Sequence, residues 1–493
     1  MCLRSVPGYI TKQIIVTVGI AVSSVSDGFI FGQMSGMLEA LHNAEGSFSL
    51  DNNDLSWIAS TINITCLIGF AIIAVVTEIF GRKMSVTIAT IPVIISWIMT
   101  YTAHNKTVLL LSRLFAGISY GGILFVSYVN IGEYMSPNIR FMSFNMLVCV
   151  GSLVGTMLGH MLSVVMDWRN VALVGLIPSL LSATIPFFWV ESPMWLAGKG
   201  RFEECEKTFR LLRTPGEDAE EELKLLISVE KDKKTKYRQM KSNLVALSML
   251  KDAFKKRYFW KIFFLSLLVN IYKVAAGRVL FSTLAITILQ GITGTSDILL
   301  FTLTTNGFAV FGACISCLLL RRFKMRQLLF PTAFLANICL IIFGLVIYLK
   351  PDKDEVFNWI KILLLATYLV IVGAGPYPVS ESILTEIHPL ELKTFNMCTI
   401  GAICGIIQFL AIKLAPDMFL VIGYHGVFFI NAFITFLCLV YLWFFLPETK
   451  GKTLQEIELY LKNNKCHDSD NIKQEQMKEL LNIKTIAASD LNA

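Results

Sequence analysis

Charge is what this chain of 493 residues has least of. Only 16% of it is Asp, Glu, Lys or Arg, while 55% is hydrophobic, and its mean hydropathy is +0.63. Soluble domains carry about 25% charged residues, so a water-solvated globule is excluded. Strand-like alternation of polar and apolar residues is also lacking. Lipid admits only helices or closed barrels as spanning structures, so its absence excludes a barrel. The 11 cysteines are scattered, mostly inside apolar runs, and no disulfide framework is readable. Cys314 and Cys317 form a C-x-x-C inside such a run, where small residues at a helix contact explain it better than redox or metal chemistry. The sequence has no nucleophile–base set, phosphate-binding loop or metal-ligand cluster. Neither an enzyme nor a cofactor or bound metal is therefore expected. Residues 1–12 are short and mildly basic with no cleavable leader, so the first apolar run is expected to act as an uncleaved signal-anchor.

Long apolar runs are abundant. A hydrocarbon layer of about 30 Å needs about 20 apolar residues per helix, and twelve segments meet that need. Their limits read 14–37, 55–77, 84–104, 108–131, 142–165, 171–190, 259–288, 297–320, 327–349, 358–385, 396–416 and 421–446. The fold class that follows is an all-α polytopic membrane protein: twelve transmembrane helices in two lobes of six. The organisation is a first lobe over 1–190, a helical linker over 191–257, a second lobe over 258–446 and a tail over 447–493. Apolar residues at helical spacing among charges predict two or three short amphipathic helices in the linker, lying beneath the membrane domain.

The basic residues gather in loops on one side: Gly81-Arg82-Lys83, the run 321–326, the linker and the tail. Acids mark the opposite loops. This places the basic side, with both termini, in the cytoplasm. The net charge of +7 is thus topology rather than a nucleic-acid footprint. Asn105-Lys106-Thr107 would face outside as a possible glycosylation site, whereas Asn63-Ile64-Thr65 falls within a span. Two six-span halves joined by a linker suit a transporter with its site between lobes near mid-membrane. The halves share weak likenesses: TEIFGRK after span 2 matches RRFKMR after span 8, and GEYMSPNIR after span 4 matches TEIHPLELK after span 10.

Several further pieces occur in order: LSWIAST before span 2, SRLFAG at 112–117, MDWRN at 166–170, ESPMWLAGKGR at 191–201 and LPETKGKTL at 446–454. With these motifs the chain, from about 14 to about 460, resembles the sugar-porter branch of the major facilitator superfamily, and insect facilitated trehalose transporters most. The resemblance implies alternating access and a cytoplasmic latch of ion pairs. Gly81 would permit the tight turn. Arg82, Lys83, Arg113 and Arg140 would sit at cytoplasmic helix ends near Glu78 and Glu133, with Glu386, Lys393 and Glu448 as counterparts in the second half. Glycine faces at Gly151/Gly155/Gly159, Gly117/Gly121 and Gly401/Gly405 read as close helix contacts.

The chain departs from that family where sugar is held. Such porters carry Q-Q-x-S-G-x-N in span 7. Aligned through Gly277, the glutamines become Lys273 and Val274, and the asparagine becomes Val279. Other gripping positions fall near Val148 or Cys149, Val379 or Glu381, and Cys404. Valine supplies no hydrogen bond, and an unmet polar group costs about 1–3 kcal/mol. In exchange Asp27, Lys273, Arg278 and Glu381 lie in spans 1, 7, 7 and 10, helices that line the cavity in this fold. Helical rise puts Asp27 and Lys273 at matching depths of roughly 20 Å, so they are expected to pair across the pathway. Arg278 is expected near the outer edge, and Glu381 in the inner half. His160 is read as a helix-contact residue. The functional expectation is a plasma-membrane carrier, facilitative, for a sugar or a related small polar solute, embedded in the bilayer and with no nucleic-acid partner. Proton-coupled symport and a non-transporting receptor are the alternatives.

Overall fold

The structure, a computed structural model, describes residues 8–42, 50–135, 137–213, 216–238, 257–294, 299–349, 355–387, 393–448 and 450. The tail beyond 450 and linker residues 239–256 lie outside that set. Among the described residues every regular element is helical. Eleven helices are long and apolar enough to cross a membrane. The last, Asn396–Phe445, is broken at Gly423, where φ is 71°, a left-handed value that glycine adopts without steric cost. It therefore supplies two crossings, and the total is twelve.

The first lobe comprises span 1 (Lys12–His42), span 2 (Asn52–Phe80), span 3 (Arg82–Tyr101), span 4 (Lys106–Tyr134), span 5 (Met142–Val165) and span 6 (Trp168–Phe188). The second comprises span 7 (Phe259–Thr283), span 8 (Leu299–Arg322), span 9 (Met325–Leu349), span 10 (Val356–Leu384), and spans 11 and 12 on either side of Gly423. Among the described residues three helices follow the first lobe: Pro193–Lys199, Phe202–Leu212 and Glu217–Arg238. Odd spans start from the end that carries the Arg82 and Arg326 turns, called here the basic end. Even spans start from the far end.

Lipid explains the surface. Ile72, Val75, Ile177, Leu181, Phe188 and Phe433 are all exposed on the spans, which in water would cost about 25 cal/mol per Å² of apolar area. Small residues explain the interior. A Cβ on Gly28 would sit 1.9 Å from the Ser152 carbonyl oxygen, and one on Gly155 would sit 2.1 Å from that of Val25. Spans 1 and 5 thus touch backbone to backbone. Spans 2 and 4 do the same through Gly69 and Gly121.

The lobes meet along span 2 against span 11 and span 5 against span 8. Counting six spans on from one contact gives the other, which is the signature of two repeated halves. The apolar core is distributed unevenly along the bundle. On the far half one core runs through both lobes, joining Phe29, Met34 and Leu41 to Phe281, Ile288 and Ile412. On the basic half there are two cores, one around Phe70 and Phe125 in the first lobe that also takes in Met397 of span 11, and one around Leu329 and Leu439 in the second lobe. The far side of the inter-lobe seam is therefore sealed by shared packing.

Two spans are interrupted at mid-depth. Span 7 breaks at Gly277 (φ 74°) and span 10 at Gly375, between Glu355–Ala374 and Pro376–Glu386. Broken helix is tolerated in lipid where neighbours satisfy the freed backbone. Here the Tyr368 hydroxyl, on span 10, donates to the Ala276 carbonyl at 2.7 Å.

Candidate functional site

The breaks frame a cavity. It lies between the lobes and is walled by spans 2, 4, 7, 10 and 11. A helix that restarts after a break presents new side chains to its centre. Side chains on a helix point back toward its N-terminus. Arg278, first residue after the span 7 break, is thereby turned to the cavity, with its guanidinium 3.7 Å from the centre of the Tyr377 ring. Tyr377 is the second residue after the span 10 break.

One turn before its break, span 7 carries Lys273. Its Nζ lies 2.6 Å from Glu381 Oε1 of span 10, with side-chain exposures of 11% and 6%. Glu381 Oε2 accepts from the Tyr128 hydroxyl of span 4 at 2.5 Å. The carboxylate thus holds a cation of its own lobe with one oxygen and reaches the other lobe with its second. Charge-assisted bonds of this kind are about twice as strong as neutral ones. Asn270 and Gln408 also line the space. Asn270 Nδ2 donates to the Ser266 carbonyl, and Gln408 Nε2 points at Cys404 Sγ. Their amide oxygens are left to accept from a ligand.

The expected Asp27–Lys273 pair is not formed. Asp27 is buried, its Oδ1 has no hydrogen-bond partner, and it is not among the cavity-lining residues. Helical rise gave its depth and not its azimuth. One turn on, Phe31 packs edge-on against Tyr120 of span 4, so this face of span 1 looks into the first lobe behind Tyr120. Arg278 departs from expectation too, lying at the cavity rather than at the outer edge, because the break redirects the chain. On its other side it borders a smaller cavity beside His160. His160 reaches across the lobes, with Nε2 2.9 Å from the Ser282 carbonyl oxygen and Nδ1 3.1 Å from Asn306 Oδ1.

At the basic end Arg82 bonds to Glu133 through Nη2 at 2.8 Å and Nε at 2.9 Å, and to Glu78 at 3.3 Å. Gly81, at φ 87°, gives the turn its left-handed residue, and a Cβ there would meet Glu191 Oε2 at 2.4 Å. Glu191 Oε1 accepts from the Arg82 and Lys83 backbone N–H groups at 2.8 and 3.4 Å. Lys83 Nζ donates to the Phe187 carbonyl. These partners all belong to the first lobe or the segment just after it. The second lobe repeats the device: Glu448 accepts from the N–H groups of Met325 and Arg326 at 2.9 and 3.1 Å. In each lobe a carboxylate after the sixth span caps the third, where the helix dipole favours negative charge. Glu191 was missed in the sequence, although its equivalence to Glu448 by six-span repetition was there to be read.

Arg113 is a correction. It lies near the far end of span 4, about 30 Å of helical rise from Glu133, because that span runs toward the basic end. It is fully buried and donates to Gln33 Oε1 at 3.2 Å and to Thr100 Oγ1. Arg140 is half-buried in the short helix Pro137–Phe144. Glu386 and Lys393 belong to described helices, but their side chains lie outside the described residues. Asn105 is exposed at the far end, where its side chain caps span 4 by accepting from Val108 N–H at 2.9 Å. Sequence reasoning also missed Tyr128, Tyr377, Asn270 and Gln408. The last two lie one turn from positions it did align, Lys273 and Cys404.

Comparison with known proteins gives concordant results. The family profile described as "Sugar (and other) transporter" matches residues 14–461. A facilitated trehalose transporter, Tret1 of Apis mellifera ligustica, is 25% identical over 91% of this chain and 88% of its own length. "Sugar transporter ERD6-like 6" of Arabidopsis thaliana is 28% identical over 89% of this chain and 88% of that one. Among solved structures, the proton:xylose symporter XylE bound to 6-bromo-6-deoxy-D-glucose superposes with a TM-score of 0.75. The match has 18% identity and covers 92% of this chain and 99% of that one. An inward-open XylE from E. coli superposes at 0.67, also with 18% identity, over 91% and 99%. At such identity these structures speak to the fold, which is that of the major facilitator superfamily.

Proposed function

This multi-pass membrane protein belongs to the sugar (and other) transporter family, and from that premise we propose that it carries a sugar or related small polar solute across the plasma membrane by alternating access, without a coupled ion. The observation that carries the reading is the mid-bundle cavity whose buried Lys273–Glu381 pair is tied across the lobe boundary by Tyr128. A solute lodged there touches both lobes, so its binding energy bears on how they sit together, as alternating access requires. Glu381 has both oxygens engaged, which favours a facilitative cycle over one that loads a proton on that group.

The basic end is taken as cytoplasmic, with both termini there. The broad core shared by both lobes on the far half, against a basic half where the first lobe's core takes in Met397 alone among buried residues of the second, supports a cavity more tightly closed to the outside. Within the Arg82–Glu133–Glu78 cluster only the contact to the exposed Glu78 is of the modest strength of a surface pair. In this reading Asn105 faces outside.

The test is counterflow. Purified full-length protein in vesicles preloaded with unlabelled glucose or trehalose should accumulate the labelled sugar transiently, and collapse of a pH gradient should leave the rate unchanged. Binding without counterflow would make the chain a receptor; abolition of counterflow by an uncoupler would make it a symporter.

A further inference from the structure

The charges around the cavity do not balance, and this deepens the reading just given by narrowing the solute. Among the described residues three charged side chains line it: Lys273, Arg278 and Glu381. Lys273 and Glu381 neutralise one another at 2.6 Å. Arg278 has no such partner. Among the described residues its guanidinium makes no ion pair, its Nη1 is buried without a hydrogen bond, and it lies over the Tyr377 ring at 3.7 Å. A ring face attracts a cation but accepts none of its five N–H bonds in the guanidinium plane. Arg278 is half-buried, and a charge held partly out of water without a counter-charge carries a desolvation cost. A neutral sugar would leave that cost in place, whereas an anion would remove it.

We infer that the solute is a sugar acid: a polyol bearing one carboxylate, which Arg278 binds in the fork geometry that matches the two carboxylate oxygens. The choice of carboxylate follows from the balance of two cations against one anion. A single negative charge brings the loaded cavity to neutrality. A phosphate monoester, at about −1.5 to −2 near pH 7, overshoots. The hydroxyls of such a solute find acceptors in the amide oxygens of Asn270 and Gln408, one on each of spans 7 and 11. Tyr120 and Phe70 add aromatic side chains to the wall.

The experiment measures counterflow of labelled glucuronate and labelled glucose into the same vesicles, for wild type and for Arg278→Gln, with glucose 6-phosphate and chloride as unlabelled competitors. Thermal stabilisation of the purified protein by each compound is read in parallel. Wild type should carry or bind glucuronate at least about tenfold better than glucose, and R278Q should reduce that preference to below about twofold, as expected for one charge-assisted contact. Arg278→Lys, which keeps the charge and loses the fork, should fall between. Glucose handled as well as glucuronate by wild type overturns the inference, and this arm needs no variant. So does an R278Q protein that still melts cooperatively and keeps its preference, or stronger competition by chloride or glucose 6-phosphate than by glucuronate. Counterflow of glucose or trehalose without glucuronate refutes the sugar acid and leaves the carrier. Stabilisation by glucuronate that R278Q abolishes, with no counterflow of any compound, refutes the carrier and keeps the sugar acid.

Discussion

Replacing Glu381 by Gln removes the charge and keeps the shape, so it isolates what the buried pair does. In the wild type Lys273 is 11% exposed and bonded at 2.6 Å. In the variant it keeps that position with no counter-charge. Removing one partner of a buried pair costs about 3–5 kcal/mol. The cavity can admit water, so the lower figure applies, about 3 kcal/mol. Lys273→Gln strands the carboxylate instead and should cost a similar amount, offset in part by the Tyr128 bond at 2.5 Å. The double variant leaves no stranded charge, so its loss should fall short of the sum by about 2 kcal/mol or more, well beyond the 0.3–0.5 kcal/mol scatter of independent sites. The assay is denaturant unfolding of full-length protein in lipid-containing micelles, run on all four members of the cycle. Additivity within that scatter would refute the claim that the two groups act as a pair in the folded protein. The same cycle with Asp27→Asn in place of Glu381→Gln should be additive with Lys273→Gln.

Three further outcomes follow from the packing and the linker. Tyr128→Phe removes one inter-lobe bond to a charged acceptor, worth about 1.5–3 kcal/mol; the balance between joined and parted lobes should shift by about tenfold or more, visible as a changed ratio of entry to exit rates in vesicles. Gly155→Leu forces a side chain where a Cβ alone would lie 2.1 Å from the Val25 carbonyl; the cost of about 1–3 kcal/mol or more should appear as loss of monodisperse protein on size exclusion, with Leu153→Ala as a milder control on a half-buried position. Cys205 is buried in the linker helix Phe202–Leu212, and burial, with Glu206 adjacent, pushes its thiol up to about 11. Thiolate is the reactive form, so alkylation of Cys205 at pH 8 should be slow in folded protein and become fast on unfolding.

What the sequence made legible was local. The spans could be read because length and apolarity are properties of one segment. The glycine faces could be read because a period of four on a helix is visible along the chain. The cavity charges were legible as residues but not as a pair. Lys273 and Glu381 are more than a hundred positions apart, and their meeting depends on the azimuth of spans 7 and 10 and on breaks at Gly277 and Gly375 that a straight-helix rise ignores. Arg113 shows a simpler limit: the motif around it looks like its cytoplasmic counterparts, but span 4 runs the other way, and only tracing the direction of each crossing puts it at the far end. Asn270 and Gln408 were overlooked because matching positions column by column hides a donor that has moved one turn along the same face.

The most direct test of the account is the side from which the cavity can be reached. A protein with its native cysteines replaced by serine and a single cysteine at Leu124, on the cavity wall, can be labelled in oriented vesicles with an impermeant maleimide applied from one face or the other. Alternating access around this cavity predicts labelling from both faces, slowed from both by the transported solute. Labelling from one face only, with or without solute, would contradict it.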